Sequence, residues 1–151
     1  RADLVFAVPN FWADVNDLND LDAVAHDFRK KHGFRLRIAT KYPNLVRKNL
    51  LNYGVADYQL VDSQGATEGT VKNLNAEIIA DISSSGETFK ANGLKRLKCS
   101  PILKSEAVLY ASLAINWRPD LLNIMESFVK ILGLKSCSKT LQNAKLAKTD
   151  N

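Results

Sequence analysis

One short segment of the sequence, residues 77–89, combines residue types that suit the binding of a phosphorylated sugar. An apolar run from Ile78 to Ala80 leads into an acid, Asp81, and then into a loop of serines and one glycine. Glu87 opens the helix that the sequence predicts next. A loop between a strand and a helix leaves backbone N–H groups unpaired, and these donors, the helix dipole and the hydroxyls together suit a phosphate. An acid at the strand end is placed to accept hydrogen bonds from sugar hydroxyls.

The same residue types also have a purely structural interpretation. Serine caps helices, and small residues are needed wherever a chain turns sharply between a strand and a helix. The spacing alone therefore leaves two interpretations open, a phosphorylated-ribose pocket and an ordinary connecting loop.

The stretch from Asp81 to Phe89 resembles the D-x-x-x-[ST]-G-x-T-[LF] phosphoribosyl-pyrophosphate loop of the ATP phosphoribosyltransferases, the first enzymes of histidine biosynthesis. Three further segments resemble the same family in the same order, namely residues 37–45, 65–68 and 91–94. The strand end at residues 6–9 also fits. Four motifs in the family's order make a specific signal, and the resemblance runs from about residue 3 to about residue 132.

The resemblance implies a role for each residue that matches a motif. Asp81 would hold the ribose hydroxyls, and Glu68 would lie near the ribose and its metal. The 5-phosphate would be bound by backbone N–H and hydroxyl donors of Ser84, Ser85, Gly86, Glu87 and Thr88. Glu87 departs from the small or basic residue common at its position, so its carboxylate must point away from the phosphate. Each of the two acids also has a structural alternative, Asp81 as a helix cap or a solvated strand end and Glu68 as a helix-start residue stabilised by the dipole.

Lys41 follows another predicted strand end, where it would face the polyphosphate of a substrate; the alternative is an ordinary exposed lysine. The sequence has no spacing typical of a zinc site, a serine hydrolase, a Walker loop or a dinucleotide-binding motif. The resemblance implies Mg²⁺ that arrives with the substrate, with no protein metal site.

The reaction that the resemblance implies is transfer of 5-phosphoribose from phosphoribosyl pyrophosphate to N1 of ATP. The protein would position two anionic substrates and stabilise the charge that develops at the ribose and the leaving group. A homo-oligomer and a regulatory subunit similar to histidyl-tRNA synthetase are implied as well. The alternative, from another class, is a non-catalytic small-anion-binding module of the solute-binding-protein type, because a fold does not fix a function.

The elements that must position these residues alternate along the chain. Strands are predicted at residues 4–8, 36–38, 58–61, 78–82, 94–99 and 107–113. Helices are predicted between most of them, with Asp17 and Gly33 bounding the first and Pro119 beginning the last, whose apolar face would pack on the sheet. This alternation predicts an α/β fold with a parallel, doubly wound sheet. The resemblance narrows the class to a periplasmic-binding-protein-like (type II) two-lobe fold.

By that analogy, residues 11–100 form the second α/β lobe, which carries the phosphoribosyl-pyrophosphate loop. Residues 1–10 and 101–132 belong to a partial first lobe. The resemblance therefore predicts an N-terminally incomplete catalytic chain of the short form, inactive by itself. Residues 133–151 are predicted to form a flexible basic tail.

The composition narrows the range of partners. A chain of 151 residues, 46% hydrophobic and 25% charged, supports one domain or two small lobes of a cytoplasmic protein. No apolar run approaches the roughly 20 residues that cross a bilayer, so no membrane partner is predicted. The formal charge is +5, but +3 of it lies in residues 133–151. The body therefore lacks the basic stripe of a nucleic-acid-binding protein.

Overall fold

The structure is a computed structural model, which describes residues 1–63, 65, 67–108, 110–112 and 117–133. The described residues divide into two compact units, one of Arg1–Ala107 and one that begins at Val108. The predicted basic tail beyond Gly133 lies outside the described residues.

The first unit is built around one six-stranded sheet. Its strands are β1 (Ala2–Pro9), β2 (Leu36–Thr40), β3 (Tyr58–Asp62), β4 (Ile78–Ser83), β5 (Leu94–Arg96) and β6 (Leu103–Ser105). Five of them follow the order β3-β2-β4-β1-β5, and β6 pairs with β1. The register places Ile38 of β2 beside Leu60 of β3 and Ile78 of β4, all parallel. In contrast, β1 runs antiparallel to β4, β5 and β6.

The predicted α/β class is confirmed, whereas the predicted all-parallel sheet is wrong. Only β2, β3 and β4 are parallel, and β1 inserts between β4 and β5 in the opposite direction. Both faces of β1 are buried, with Phe6 at 1% and Ala7 at 0% exposure. A strand that is buried on both faces is a continuous apolar run whether it pairs parallel or antiparallel, so its sequence does not indicate its direction in the sheet. The mixed sheet is consistent with a lobe of the type II periplasmic-binding-protein-like fold.

Successive side chains of a strand point to opposite faces of the sheet, and the buried strands are apolar at consecutive positions. Both faces are therefore apolar, and helices cover both. On one face, α1 (Leu18–His32) and α2 (Pro43–Asn52) enclose the larger core. On the other face lie α3 (Gly69–Lys72) and α4 (Glu87–Ala91). The smaller core on that second face is formed by Val5, Ala7, Ala39, Ala76, Ile79, Phe89 and Leu94.

The ends of α1 are those that the sequence predicts. The Asp17 carboxylate accepts hydrogen bonds from the N–H groups of Asn19 and Asp20 at 2.8 and 3.0 Å. Gly33 ends the helix with φ 78°, a conformation that glycine adopts without a steric penalty. Both caps depend only on residues next to the ends of the helix, so they can be predicted from the sequence.

The structure divides the chain differently from the predicted lobes. Residues 1–10 do not stand apart from residues 11–100, because β1 is an inner strand of the sheet that the latter build. Residues 101–107 also belong to this unit, through the pairing of β6 with β1. The boundary between the two units falls after Ala107.

The prediction of a strand at residues 107–113 is wrong for those of its residues that the structure describes. Residues 107, 108 and 110–112 have no regular secondary structure, while residues 109 and 113 lie outside the described residues. Val108 and Tyr110 are 58% and 87% exposed, so the apolar run lacks the burial that a strand on a sheet needs.

In the second unit, α5 (Pro119–Ile131) begins at Pro119 as predicted. The predicted burial of its apolar face is wrong, because Ile124 is 65% and Phe128 47% exposed. No helix in the part of the chain that the structure describes is both long and apolar enough to span a bilayer.

Candidate functional site

The predicted phosphate loop connects β4 to α4. Its irregular part is residues 84–86, since Ser83 ends the strand and Glu87 begins the helix. The prediction of a loop between a strand and a helix is therefore confirmed, with a shorter loop than expected. Gly86 has φ 78° and ψ 1°, a left-handed conformation that explains glycine at this position.

The loop leaves backbone donors without partners. No described residue accepts a hydrogen bond from the N–H groups of Ser84, Ser85, Gly86 and Thr88. The N–H of Glu87 donates to Oγ of Ser85 at 3.3 Å, which holds the turn closed. Serines 84 and 85 are exposed, so the free N–H groups and hydroxyls are open to a ligand.

Asp81 lies inside β4, opposite Val5 of β1, and is half-buried. Its Oδ1 accepts a hydrogen bond from the N–H of Ile82 at 2.8 Å. Residues two apart share a face of a strand, so Asp81 lies on the face of Ile79, which α4 helps to cover. The alternative role of Asp81 as a helix cap is wrong, because Gly86 is the N-cap of α4.

Lys41 and Glu68 follow the ends of neighbouring strands. Lys41 is exposed directly after β2, and Glu68 precedes α3 in the connection that leaves β3. Glu68 is half-buried and makes no side-chain hydrogen bond that caps α3. Since β2, β3 and β4 are parallel, their carboxyl ends lie at one edge of the sheet. Lys41, Glu68 and the 84–86 loop therefore follow the same sheet edge, the usual place for a ligand site in an α/β fold.

Three buried hydroxyl residues, Thr40, Ser63 and Thr67, fix the chain beside this edge. The Ser63 hydroxyl donates to Oγ1 of Thr67 at 3.0 Å, and the N–H of Ser63 donates to the carbonyl of Thr40 at 3.3 Å. The bonds tie the connection before Glu68 to the end of β2. The sequence analysis did not identify these residues. The pattern that could have indicated them is the presence of hydroxyl residues at or after the ends of two neighbouring strands.

A cavity of about 470 Å³ adjoins the phosphate loop. Ser84, Ser85 and Gly86 line it, whereas Asp81, Glu68 and Lys41 do not, and neither do Glu87 and Thr88. The other lining residues include an apolar floor and a group of polar and cationic side chains, namely Phe89, Leu94, Asn10, Lys90, Lys95 and Arg96. Sequence reasoning missed the cations because they meet the loop only through the pairing of β5 with β1.

Glu77, at the start of β4, has a structural role at the opposite sheet edge. Its carboxylate accepts hydrogen bonds from Arg37, at 2.6 Å from Nη2 and at 2.7 Å from the backbone N–H. The hydrogen bond that the Arg37 guanidinium donates to Glu77 raises the pKa of Arg37 above its ordinary value, whereas burial acts in the opposite direction. The pair links Arg37 in β2 to Glu77, which directly precedes β4, and it takes no part in the loop.

Within the described residues, no three His, Cys, Asp or Glu side chains converge to hold a metal ion. Mg²⁺ in proteins that bind phosphates is commonly held by one or two carboxylates together with the substrate. Asp81 and Glu68 supply carboxylate oxygens, the type of ligand that such an ion takes.

The mixed sheet and the loop at its carboxyl edge define a protein of the α/β class with a candidate phosphate-binding loop. The family model described as ATP phosphoribosyltransferase matches residues 1–133, and the chain belongs to this family. The resemblance inferred from the motifs is thereby confirmed.

Curated relatives agree with the family model. The chain is 66% identical to the ATP phosphoribosyltransferase of Cereibacter sphaeroides over 117 residues, which cover 78% of this chain and 50% of that protein. It is 49% identical to the enzyme of Afipia carboxidovorans over 119 residues, covering 79% of this chain and 37% of that protein. It is 43% identical to the enzyme of Caulobacter vibrioides over 135 residues, which cover 89% of this chain and 42% of that protein. The chain thus spans half or less of the length of these relatives.

A solved structure, the ATP phosphoribosyl transferase (HisG:HisZ) complex from Thermotoga maritima, is similar with a TM-score of 0.47 and 23% identity. The match covers 64% of this chain and 39% of that chain. A likeness of this size carries no argument about function.

Proposed function

We propose that this chain is part of the catalytic subunit of an ATP phosphoribosyltransferase. The subunit transfers 5-phosphoribose from phosphoribosyl pyrophosphate to N1 of ATP, in the first step of histidine biosynthesis in the cytoplasm. One observation carries the proposal: in a chain that belongs to this family, the segment that matches the family's phosphoribosyl-pyrophosphate loop is an exposed turn with four unpartnered N–H groups.

In this proposal the 84–86 loop binds the 5-phosphate. The unpartnered N–H groups of Ser84, Ser85, Gly86 and Thr88 donate to the phosphate oxygens, and the serine hydroxyls add further donors. Such a site is charge-assisted, so each hydrogen bond is stronger than one between neutral groups. Glu87 lies in α4, outside the lining of the adjoining cavity, which lets its carboxylate point away from the anion.

Asp81 orients the ribose through its hydroxyls. Its Oδ1 is already fixed by the N–H of Ile82, so the carboxylate is held in place before the sugar binds. Glu68 approaches from the neighbouring connection, and the hydrogen bond between Ser63 and Thr67 holds that connection. Lys41 at the end of β2 faces the polyphosphate. These residues position charge, which is the main requirement of a reaction that needs little covalent chemistry from the protein.

Mg²⁺ bound with phosphoribosyl pyrophosphate supplies neutralisation of the pyrophosphate leaving group. Asp81 and Glu68 would orient the ribose and are the carboxylates that would contact such an ion. The chain spans half or less of the length of its curated relatives, so the reaction is proposed for the whole subunit. The proposal also includes a homo-oligomer and a histidyl-tRNA-synthetase-like regulatory subunit, as the family resemblance implies.

A solute-binding module that captures a small anion is the alternative of another class. It shares the α/β architecture, but a module of that kind has no need of the phosphoribosyl loop motif. Calorimetric titration with phosphoribosyl pyrophosphate and Mg²⁺ separates the two. The enzyme proposal predicts that this chain prefers phosphoribosyl pyrophosphate to inorganic phosphate. Equal affinity for the two anions would contradict it.

A further inference from the structure

The cavity beside the phosphate loop carries a concentration of positive charge that the 5-phosphate does not require. Lys90 comes from the end of α4, and Lys95 and Arg96 come from β5. The described residues that line the cavity include no Asp or Glu. A concave surface with cations of one sign concentrates anions, because the low-dielectric walls focus the field.

The three cations differ in how far they are already neutralised. Nη2 of Arg96 lies 3.6 Å from Oδ2 of Asp3, so its charge is shared with an acid. Nζ of Lys95 donates to the carbonyl of Ala13 at 3.0 Å. A carbonyl positions an ammonium group without cancelling its charge, and two further N–H donors of Lys95 remain. No described residue pairs with Lys90, whose side chain is exposed.

The floor and the volume of the cavity suit a small molecule. Phe89 and Leu94, 3% and 1% exposed, form an apolar base beneath the cations, and the amide of Asn10 adds a polar group at the rim. The volume of about 470 Å³ lies within the range of roughly 300–1,000 Å³ that is usual for small-molecule sites. The loop serines on one wall connect this cavity to the proposed 5-phosphate site.

We propose that Lys90, Lys95 and Arg96 form a second anion subsite, adjacent to the 5-phosphate loop, for a diphosphate or polyphosphate group. This inference rests on the proposed function, which supplies ligands with two separated phosphate groups. Lys95 is the fixed contact, since the Ala13 carbonyl holds its ammonium group, and Lys90 is the mobile contact that closes on the ligand. Arg96 contributes less, because Asp3 competes for it.

The test is titration of the chain with two probes, pyrophosphate and ribose 5-phosphate, at low salt. Lys90→Gln and Lys95→Gln should each weaken pyrophosphate binding by about fivefold, the order expected for one partly exposed charge pair. Neither should change the affinity for ribose 5-phosphate. Lys48→Gln is the matched control, since Lys48 is exposed on α2 and lies outside the cavity; it should leave both affinities unchanged.

Competition between the probes separates this inference from the proposed function. Two subsites predict that ribose 5-phosphate and pyrophosphate bind together, whereas mutual displacement would overturn the second subsite. Unchanged pyrophosphate affinity in both lysine variants would overturn it as well. If pyrophosphate binds through Lys95 but ribose 5-phosphate does not bind, the second subsite stands and the proposed 5-phosphate loop fails. Titration with ATP identifies the source of the group, since tighter binding of ATP than of pyrophosphate indicates the polyphosphate chain of a nucleotide.

Discussion

The hydroxyl of Ser63 donates a hydrogen bond to Oγ1 of Thr67 at 3.0 Å, and both side chains are buried. Ser63 follows β3, and Thr67 directly precedes Glu68, so the bond closes the connection that carries this acid. Ser63 is 5% and Thr67 0% exposed, so water would replace a lost hydrogen bond between them poorly.

Thr67→Val should therefore lower the free energy of unfolding by about 1–3 kcal/mol, because it leaves the buried Ser63 hydroxyl without an acceptor. The double variant Ser63→Ala with Thr67→Val should recover part of that loss, since no unpaired hydroxyl remains. Urea unfolding of the two single variants and the double variant measures the coupling. Strict additivity of the single effects would show that the bond contributes nothing.

Gly86 and Gly69 form a matched pair for testing the loop. A Cβ at either position meets no atom within 4 Å, but only Gly86 has a positive φ, of 78°. Gly86→Ala should lower the free energy of unfolding by about 1–2 kcal/mol through backbone strain, and it should weaken the binding of ribose 5-phosphate. Gly69→Ala in α3 should be neutral or stabilising by about 0.4–1 kcal/mol. Equal effects of the two changes on stability would contradict the left-handed conformation of Gly86.

Asp57 joins the segment before β3 to α1, where it meets the guanidinium of Arg29 and the imidazole of His26. Its Oδ1 pairs with Nη1 of Arg29, and its Oδ2 lies 3.2 Å from Nδ1 of His26. Hydrogen bonds from Arg29 first, and then from His26, lower the pKa of Asp57 below its ordinary value of 3.8.

A lowered pKa means that the ionised Asp57 stabilises the folded state at pH values above about 3.8, and that this contribution is lost as the pH falls through the lower folded-state value. Asp57→Asn should therefore flatten the decline in stability as the pH falls below about 4. Asp27→Asn, a change at an exposed position on α1, is the control. Thermal unfolding at a series of pH values below about 4 gives the measurement. If the stability of the wild type and of Asp57→Asn falls equally steeply with pH, the ionised Asp57 carboxylate does not stabilise the fold.

The Arg37–Glu77 pair should act on stability and leave ligand binding alone. Removing the carboxylate in Glu77→Ala takes away the hydrogen bonds to the guanidinium and to the backbone N–H of Arg37. The expected loss is about 1.5–3 kcal/mol, the range for hydrogen bonds to a charged group. Denaturant unfolding measures that loss, while titration with ribose 5-phosphate should show unchanged affinity. Weaker binding with unchanged stability would place Glu77 in the site instead.

The parts of the fold that the sequence predicts are those set by neighbouring residues. The Asp17 cap, the Gly33 end of α1, Pro119 at the start of α5 and the turn before α4 are all local. The insertion of β1 is different, because pairing Ala7 with both Ile79 and Arg96 joins residues that lie more than 70 positions apart. No local pattern records such pairing.

The candidate site divides in the same way. Asp81 and the serines of the loop lie within one short motif, so the sequence alone predicts them as site residues. Lys95 and Arg96 approach the loop only after β5 has paired with β1, and their own neighbourhood in the sequence looks like an ordinary basic surface. Ser63 and Thr67 were missed because hydroxyl residues near strand ends are common in turns.

The most direct test of the central claim is the affinity of Asp81→Ala for phosphoribosyl pyrophosphate with Mg²⁺, measured by calorimetry beside the wild type and the exposed control Asp27→Ala. Loss of hydrogen bonds between a carboxylate and the ribose hydroxyls should weaken binding by about 1.5–3 kcal/mol, and Asp27→Ala should bind as the wild type does. Asp81 makes its one described hydrogen bond to the neighbouring N–H of Ile82, so the variant should remain folded. Equal affinity in all three proteins would remove Asp81 from the site and contradict the assignment of this loop to phosphoribosyl pyrophosphate.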